Sequence, residues 1–130
     1  MRAGSLTLIL LSATLLAAGL SPARAQMFGP GYRPCGEQPN TRAIVDCVEA
    51  KTKEWDRRLN AAYAALLDRI APAQRVPLRD AERAWLAFRE ANCRFYDAQE
   101  GTIRQIQAAE CLRAMTEART RELEQAMKFD

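Results

Sequence analysis

The sequence predicts an all-α fold: a small antiparallel bundle of about three helices, stapled by disulfide bonds. Three observations support this fold class. Apolar residues recur at three- and four-residue steps from Thr41 onward, which is the period of amphipathic helices. No stretch shows the period-two alternation of a strand. Four cysteines occur in a chain of 130 residues, and covalent links suit a domain with a modest core.

Residues 1–25 are interpreted as a secretory signal peptide. Arg2 supplies the positive start, Leu6–Leu20 is a mostly apolar run, and Ala23-Arg24-Ala25 fits a cleavage site with small residues at both ends. The apolar run is too short for a good membrane anchor, and no cysteine beside the cleavage site offers lipid attachment. We therefore expect a periplasmic or secreted chain that begins at Gln26 and has no stable membrane anchor.

Charge and residue types exclude several classes of function. The leader removes two arginines and no acidic residue, so the formal net charge falls from +3 to +1. Nucleic-acid binding is not expected, because it needs a strongly basic face. The chain has no histidine, which excludes Ser-His-Asp and Cys-His hydrolases and imidazole metal sites. Neither a cofactor nor a metal is expected, since the cysteines lack the close pairs typical of zinc sites.

Residues 26–40 are predicted to form a loop-like N-terminal arm. They contain three glycines and three prolines, which disfavour a regular helix. Cys35 is expected to fasten this arm to the helical domain, which we assign to residues 41–130.

The first long helix is predicted to begin after Asn40 or Thr41, either of which can cap it. It should end near Ala71, because Pro72 disfavours its continuation. Its inner stripe is predicted to contain Ile44, Val48, Trp55, Leu59, Ala62, Tyr63, Leu66 and Ile70.

Two further helices follow. Pro77 is expected in the first turn of the second helix, and Gly101 is expected near its end. Thr102 can cap the third helix. The second inner stripe is predicted to contain Leu78, Ala81, Trp85, Phe88, Asn92 and Phe95. The third is predicted to contain Ile103, Ile106, Leu112, Met115, Leu123 and Met127. Four aromatic residues on these stripes are interpreted as core anchors: Trp55, Tyr63, Trp85 and Phe88.

The four cysteines predict two disulfide bonds, because an even number in a short exported chain is typical of oxidised domains. In an up-down-up bundle, residues that face each other across the second turn have numbers that sum to about 202. Cys93 and Cys111 come close to that value, which leaves Cys35 to pair with Cys47. The other two connectivities stay open, and a Cys47–Cys93 bond would lie less than two turns out of register.

The same arithmetic suggests a polar contact across the first turn, where facing residue numbers sum to about 145. Asp56 and Arg89 meet this condition. Our hypothesis is a cross-helix salt bridge that sets the register of the two helices, with Asn60 bonding to a nearby backbone or side-chain group.

Three motifs mix large apolar residues with polar residues on one helical face. They are Trp55-Asp56-x-x-Leu59-Asn60-x-x-Tyr63, then Arg83-Ala84-Trp85-x-x-Phe88-Arg89-x-x-x-Cys93, and finally Cys111 with Thr116, Arg119, Glu122 and Leu123. In their order and with the cysteines, they resemble the LprI family of lysozyme inhibitors from about Cys47 to Leu123. The resemblance implies a helical, disulfide-bonded envelope protein that binds and inhibits lysozyme.

We therefore expect a binding protein rather than an enzyme, most specifically a lysozyme-type inhibitor whose partner is a protein. The alternative is a cell-envelope adaptor or binding module without inhibitory activity. The sequence does not specify the oligomeric state.

Three exposed arginines near predicted helix ends are candidates for contact with an enzyme's acidic cleft, although scattered charges are also the ordinary surface: Arg75, Arg94 and Arg104. Five glutamates that alternate with arginines are interpreted as solvated charged faces: Glu82, Glu90, Glu110, Glu117 and Glu122.

Overall fold

The computed structural model describes residues 28–128, so the predicted signal peptide lies outside the described residues. The described residues contain no strand and form four helices, which confirms the all-α fold class. The helices are α1 (Arg33–Gly36), α2 (Thr41–Arg69), α3 (Pro72–Asp97) and α4 (Ile103–Ala126). None of these helices combines the length and the apolar character needed to cross a membrane.

The short helix α1 corrects the expectation of an entirely loop-like arm. Pro34 lies in its first turn, where the missing N–H is not needed and the fixed φ suits a helix. Cys35 within α1 is fully buried and bonded to Cys47 of α2, with 5.4 Å between the Cα atoms. The disulfide therefore anchors this part of the arm to α2.

Helix α2 begins and ends close to the predicted positions. The side chain of Asn40 accepts a hydrogen bond from the backbone N–H of Ala43 at 2.9 Å, which confirms it as the cap. The helix ends at Arg69, because Ile70 has an extended backbone. Its buried residues, Val48, Leu59, Ala62 and Leu66, all belong to the predicted inner stripe.

Helix α3 begins five residues earlier than the expectation based on Pro77. Pro72 occupies its start, and the side chain of Gln74 accepts a hydrogen bond from the backbone N–H of Ala71 at 3.0 Å. Pro72 already has the φ that a first helical residue needs. Pro77 therefore lies inside the helix, where its ring removes one backbone hydrogen bond.

The turn into α4 contains Gly101 in a left-handed conformation, with φ of +80°. A residue with a Cβ would be strained there. Thr102 directly precedes α4 as predicted, but its side chain forms no capping hydrogen bond, so that part of the expectation is wrong.

Helix α4 is central to the bundle. It runs parallel to α2, since Val48 packs in one cluster with Ala109 and Leu59 packs in another with Leu123. Helix α3 runs antiparallel to both and packs mainly on α4. Helices α2 and α3 therefore lie on either side of α4, and an open groove remains between them.

The second disulfide links α3 to α4. It joins Cys93 to Cys111 with 5.5 Å between the Cα atoms. Together with the bond between Cys35 and Cys47, it confirms the predicted connectivity.

The predicted inner stripe of α3 is partly wrong. Phe88 and Phe95 are 60% and 65% exposed, and Ala81 is exposed as well. Phe88 is therefore not a core anchor. The reason is that α3 buries only the narrow face that meets α4. Ile103 of the predicted third stripe is also exposed, at 49%.

Candidate functional site

The motif residues of α2 and α3 converge on the open groove between these helices. Four of the predicted site residues lie in it: Asp56, Asn60, Tyr63 and Arg89. The groove encloses about 660 Å³. We define the α2–α3 groove by its full lining, which is Asp56, Leu59, Asn60, Tyr63, Arg79, Glu82, Arg83, Leu86 and Arg89.

One guanidinium nitrogen links three helices at the base of the groove. Arg89 Nη1 donates to Asp56 Oδ1 at 3.1 Å and to Thr116 Oγ1 at 2.9 Å. The hydroxyl of Thr116 donates in turn to the backbone carbonyl of Leu112 at 2.7 Å, which orients its oxygen to accept. The Arg89 side chain is 15% exposed and that of Asp56 is 42% exposed. This geometry confirms the predicted salt bridge and adds an unpredicted contact with α4.

A second ion pair lies further along the groove. Arg119 of α4 donates from Nε to Glu82 Oε2 at 3.0 Å, and its Nη2 lies 2.9 Å from the same oxygen. Its Nη1 lies 2.9 Å from Glu122. Burial lowers the pKa of Arg119, but hydrogen bonds to Glu122 and Glu82 outweigh that effect and raise its pKa above the ordinary value. Glu82 is buried, so its interpretation as part of a solvated face is wrong.

Trp85 lies between the two arginines of these ion pairs. The guanidinium carbon of Arg89 is 5.0 Å from the centre of the indole ring, and that of Arg119 is 5.9 Å away. Both distances allow a cation–π contact. Trp85 thus joins the two polar networks through its ring and is half-buried, as expected for an anchor.

Trp55, which lies outside the α2–α3 groove, also contacts two arginines. Arg58 and Arg121 lie 4.9 Å and 5.1 Å from its ring. Arg58 also binds the carboxylate of Glu124 through Nε and Nη2. The hydrogen bond from Arg58 lowers the pKa of Glu124 despite the opposing effect of its limited burial.

A buried ionic cluster on α4 was missed by the sequence analysis. Arg113 donates from Nε and Nη2 to the two oxygens of Glu110, both at 2.7 Å, and from Nη1 to Glu117 at 2.5 Å. The side chains of Arg113 and Glu110 are 3% and 0% exposed. The N-terminal arm packs against this cluster at Gly31, where an added Cβ would lie only 2.5 Å from Arg113 Nη1.

The spacing of this cluster was visible in the sequence. Residues 110, 113 and 117 continue the four- and three-residue steps that begin at Ile106, which places them on the same face of α4 as this buried residue. The interpretation of Glu110 as part of a solvated face is therefore wrong. Glu90 and Glu122 are exposed, as that interpretation expects.

The three candidate arginines near the helix ends differ from one another. Arg75 and Arg94 are exposed. Arg104 is instead tied to Asp97, because its Nη1 donates to the Oδ1 atom at 2.7 Å and to the backbone carbonyl at 3.1 Å. None of the three lines the α2–α3 groove.

The family model of the lysozyme inhibitor LprI matches residues 34–123, which contain all four cysteines and every residue of the networks described above except Gly31 and Glu124. No curated protein and no solved structure matches the chain significantly. The family match covers more than half of the 130 residues, and it agrees with the motifs, their order and the disulfides. The chain therefore belongs to the LprI family of lysozyme inhibitors.

Proposed function

We propose that this protein is an exported, non-catalytic binding domain that inhibits a lysozyme-type enzyme. The observation that carries the proposal is the family match over residues 34–123. The polar residues of the groove also support a binding role. Arg89 and Arg119 are held by partners on other helices, so they form a rigid framework rather than an acid–base pair of the kind that catalysis needs.

The proposal includes a location in the periplasm or outside the cell. Two disulfide bonds support it, because such bonds persist in oxidising compartments. The predicted leader at residues 1–25 supports export, with a mature chain that begins at Gln26. A lysozyme-type enzyme that attacks the cell wall acts in the same compartment.

We assign the inhibitory contact to the α2–α3 groove. Lysozyme-type enzymes work with two carboxyl groups in a cleft, so an inhibitor benefits from hydrogen-bond donors that are already positioned. Arg79 and Arg83 are exposed on the rim of the groove. Arg83 is only loosely tied to Asp80, at 3.6 Å between two exposed side chains. The rim therefore presents two cations beside the exposed amide of Asn60, on a framework that needs little reorganisation.

A cell-wall lysis assay tests the activity. The full sequence is expressed with export to an oxidising compartment, and the purified oxidised protein is titrated into lysozyme-catalysed lysis, with a reduced sample as a control. We expect inhibition that approaches one-to-one stoichiometry and is lost on reduction. Absence of inhibition against several lysozyme types would refute the proposal for those enzymes. The adaptor alternative would then predict capture of other exported proteins from an envelope extract.

Matched charge reversals test the contact surface. Arg79→Glu reverses a cation on the rim of the groove, whereas Arg57→Glu makes the same change at an exposed position of α2 outside its lining. We expect Arg79→Glu to weaken inhibition by about tenfold, mainly through slower association, and Arg57→Glu to leave it unchanged. Equal effects of the two variants would exclude the groove as the contact surface.

A further inference from the structure

An exposed apolar stripe follows the outer face of α3. We call it the α3 outer stripe and define it by Ala81, Ala84, Phe88, Ala91 and Phe95. All five residues are exposed, including Phe88 at 60% and Phe95 at 65%. Their spacing alternates between three and four residues, which is the heptad pattern of a helix that packs against another helix.

The α3 outer stripe is separate from the surfaces that the fold uses. Trp85, Arg89 and Cys93 contact α4. At about 100° per residue, they lie about 80°, about 120° and about 160° around the helix from the mean direction of the stripe. Leu86, two residues before Phe88, lines the α2–α3 groove on the opposite side of α3. Within residues 28–128, no other helix packs closely on the outer side of α3.

We propose that the α3 outer stripe is a homodimer interface in which α3 packs antiparallel to α3 of a second copy. Charge complementarity identifies this occupant. Asp80 and Arg94 flank the same side of the stripe, and each lies seven residues from Ala87. A two-fold axis between Ala87 and Phe88 places Asp80 of each copy within about one residue, or about 1.5 Å along the helix, of Arg94 of the other. A parallel pair would instead bring identical charges to the same level.

The same axis matches large side chains with small ones. Ala84 lies opposite Ala91 of the second copy, Ala81 lies within about one residue of Phe95, and the two Phe88 rings meet near the centre. Alanines at these positions let the helix backbones approach each other, and burial of the phenylalanines supplies the apolar contact.

The two charged residues are available for this contact. The described residues provide no ion pair for Arg94. Asp80 has only the 3.6 Å contact with Arg83, and their side chains are 64% and 76% exposed. An exposed pair of this kind contributes little and is readily exchanged. A single pair of helices is a small interface, so we expect a weak dimer that forms with increasing concentration.

Sedimentation equilibrium of the purified oxidised protein tests the proposal. Protein concentrations up to about 1 mM allow a dimer with a Kd as weak as about 1 mM to be detected. Phe88→Lys should weaken dimerisation by at least about thirtyfold, as expected when a central anchor is removed. Leu86→Lys is the matched control, because it places the same charge on the groove side of α3, and it should leave dimerisation unchanged. A protein that stays monomeric at the highest concentration would overturn the proposal. So would a dimer that tolerates Phe88→Lys.

A charge swap tests the antiparallel register. Asp80→Arg or Arg94→Asp alone places like charges opposite each other and should weaken the dimer. The double variant restores opposite charges across the two-fold axis and should recover most of the affinity. Failure of the double variant to recover, with unchanged thermal unfolding, would overturn the register. The result is independent of lysozyme inhibition, because the α3 outer stripe lies outside the α2–α3 groove.

Discussion

The substitution Glu110→Gln tests how strongly the stability of the fold depends on pairing the buried charge of Arg113 with Glu110. It keeps the shape of a fully buried side chain and removes its charge. Arg113 then loses two charged acceptors at 2.7 Å while its own side chain stays 3% exposed. Water cannot reach it readily to replace the lost contacts, so the guanidinium bears much of the cost of desolvation.

The expected loss follows from the partners that remain. Removing one member of a buried ion pair costs about 3–5 kcal/mol. Glu117 still binds Arg113 through Nη1, so we expect the lower end, about 3 kcal/mol of unfolding free energy. For a domain of this size, that loss lowers the Tm by about 12 °C or more.

Urea unfolding at pH 7, followed by far-UV circular dichroism with the disulfides intact, measures this loss. Glu122→Gln is the matched control, because Glu122 also binds an arginine but is 67% exposed. We expect it to change stability by under about 1 kcal/mol. The double variant Glu110→Gln, Arg113→Met should recover part of the loss, since neither buried charge remains. A cost for Glu110→Gln no larger than that of Glu122→Gln would refute the reasoning.

Three further predictions concern pH, covalent stabilisation and the groove. Burial raises the pKa of Glu117, but hydrogen bonds from two arginines outweigh it and the net shift is downward. The ionised form of Glu117 therefore stabilises the fold fully above the unfolded pKa of about 4.3, and this contribution is lost as pH falls through the lower folded pKa. In the Glu117→Gln variant, the unfolding free energy should fall less steeply over this pH range. Replacing both Cys93 and Cys111 with alanine should cost about 3 kcal/mol in chemical unfolding, and an unchanged midpoint would contradict the stabilising role of this bond. Arg89→Ala should lower the unfolding free energy by about 2 kcal/mol, because Arg89 also binds α4. Asp56→Asn should lower it by under about 1 kcal/mol, because Asp56 is 42% exposed. Thermal unfolding that ranks the two variants in the opposite order would contradict this account.

Part of the candidate site was predictable because it joins helices that are neighbours in sequence. A short turn sets the register of α2 and α3, so the numbers of Asp56 and Arg89 already indicated that they face each other. The contact between Glu82 and Arg119 joins α3 to α4, and the register of the second turn places these residues close together too. Both glutamate and arginine are common on exposed faces, however, so residue type alone did not indicate that this pair is buried.

The sequence by itself determined the local structure and the covalent links. The helical spacing of apolar residues, with Pro72 and Gly101 as breaks, specifies three long helices, and the cysteine positions favour the two observed disulfides. These features act within one helix or across one short turn, which is why they can be interpreted without the tertiary structure. Only the tertiary structure decided that α4 lies between α2 and α3. That choice leaves the α2–α3 groove open, buries the charges around Arg113 and exposes Phe88. This arrangement depends on which faces of α2, α3 and α4 pack together, because a helix buries only the face that its neighbours contact.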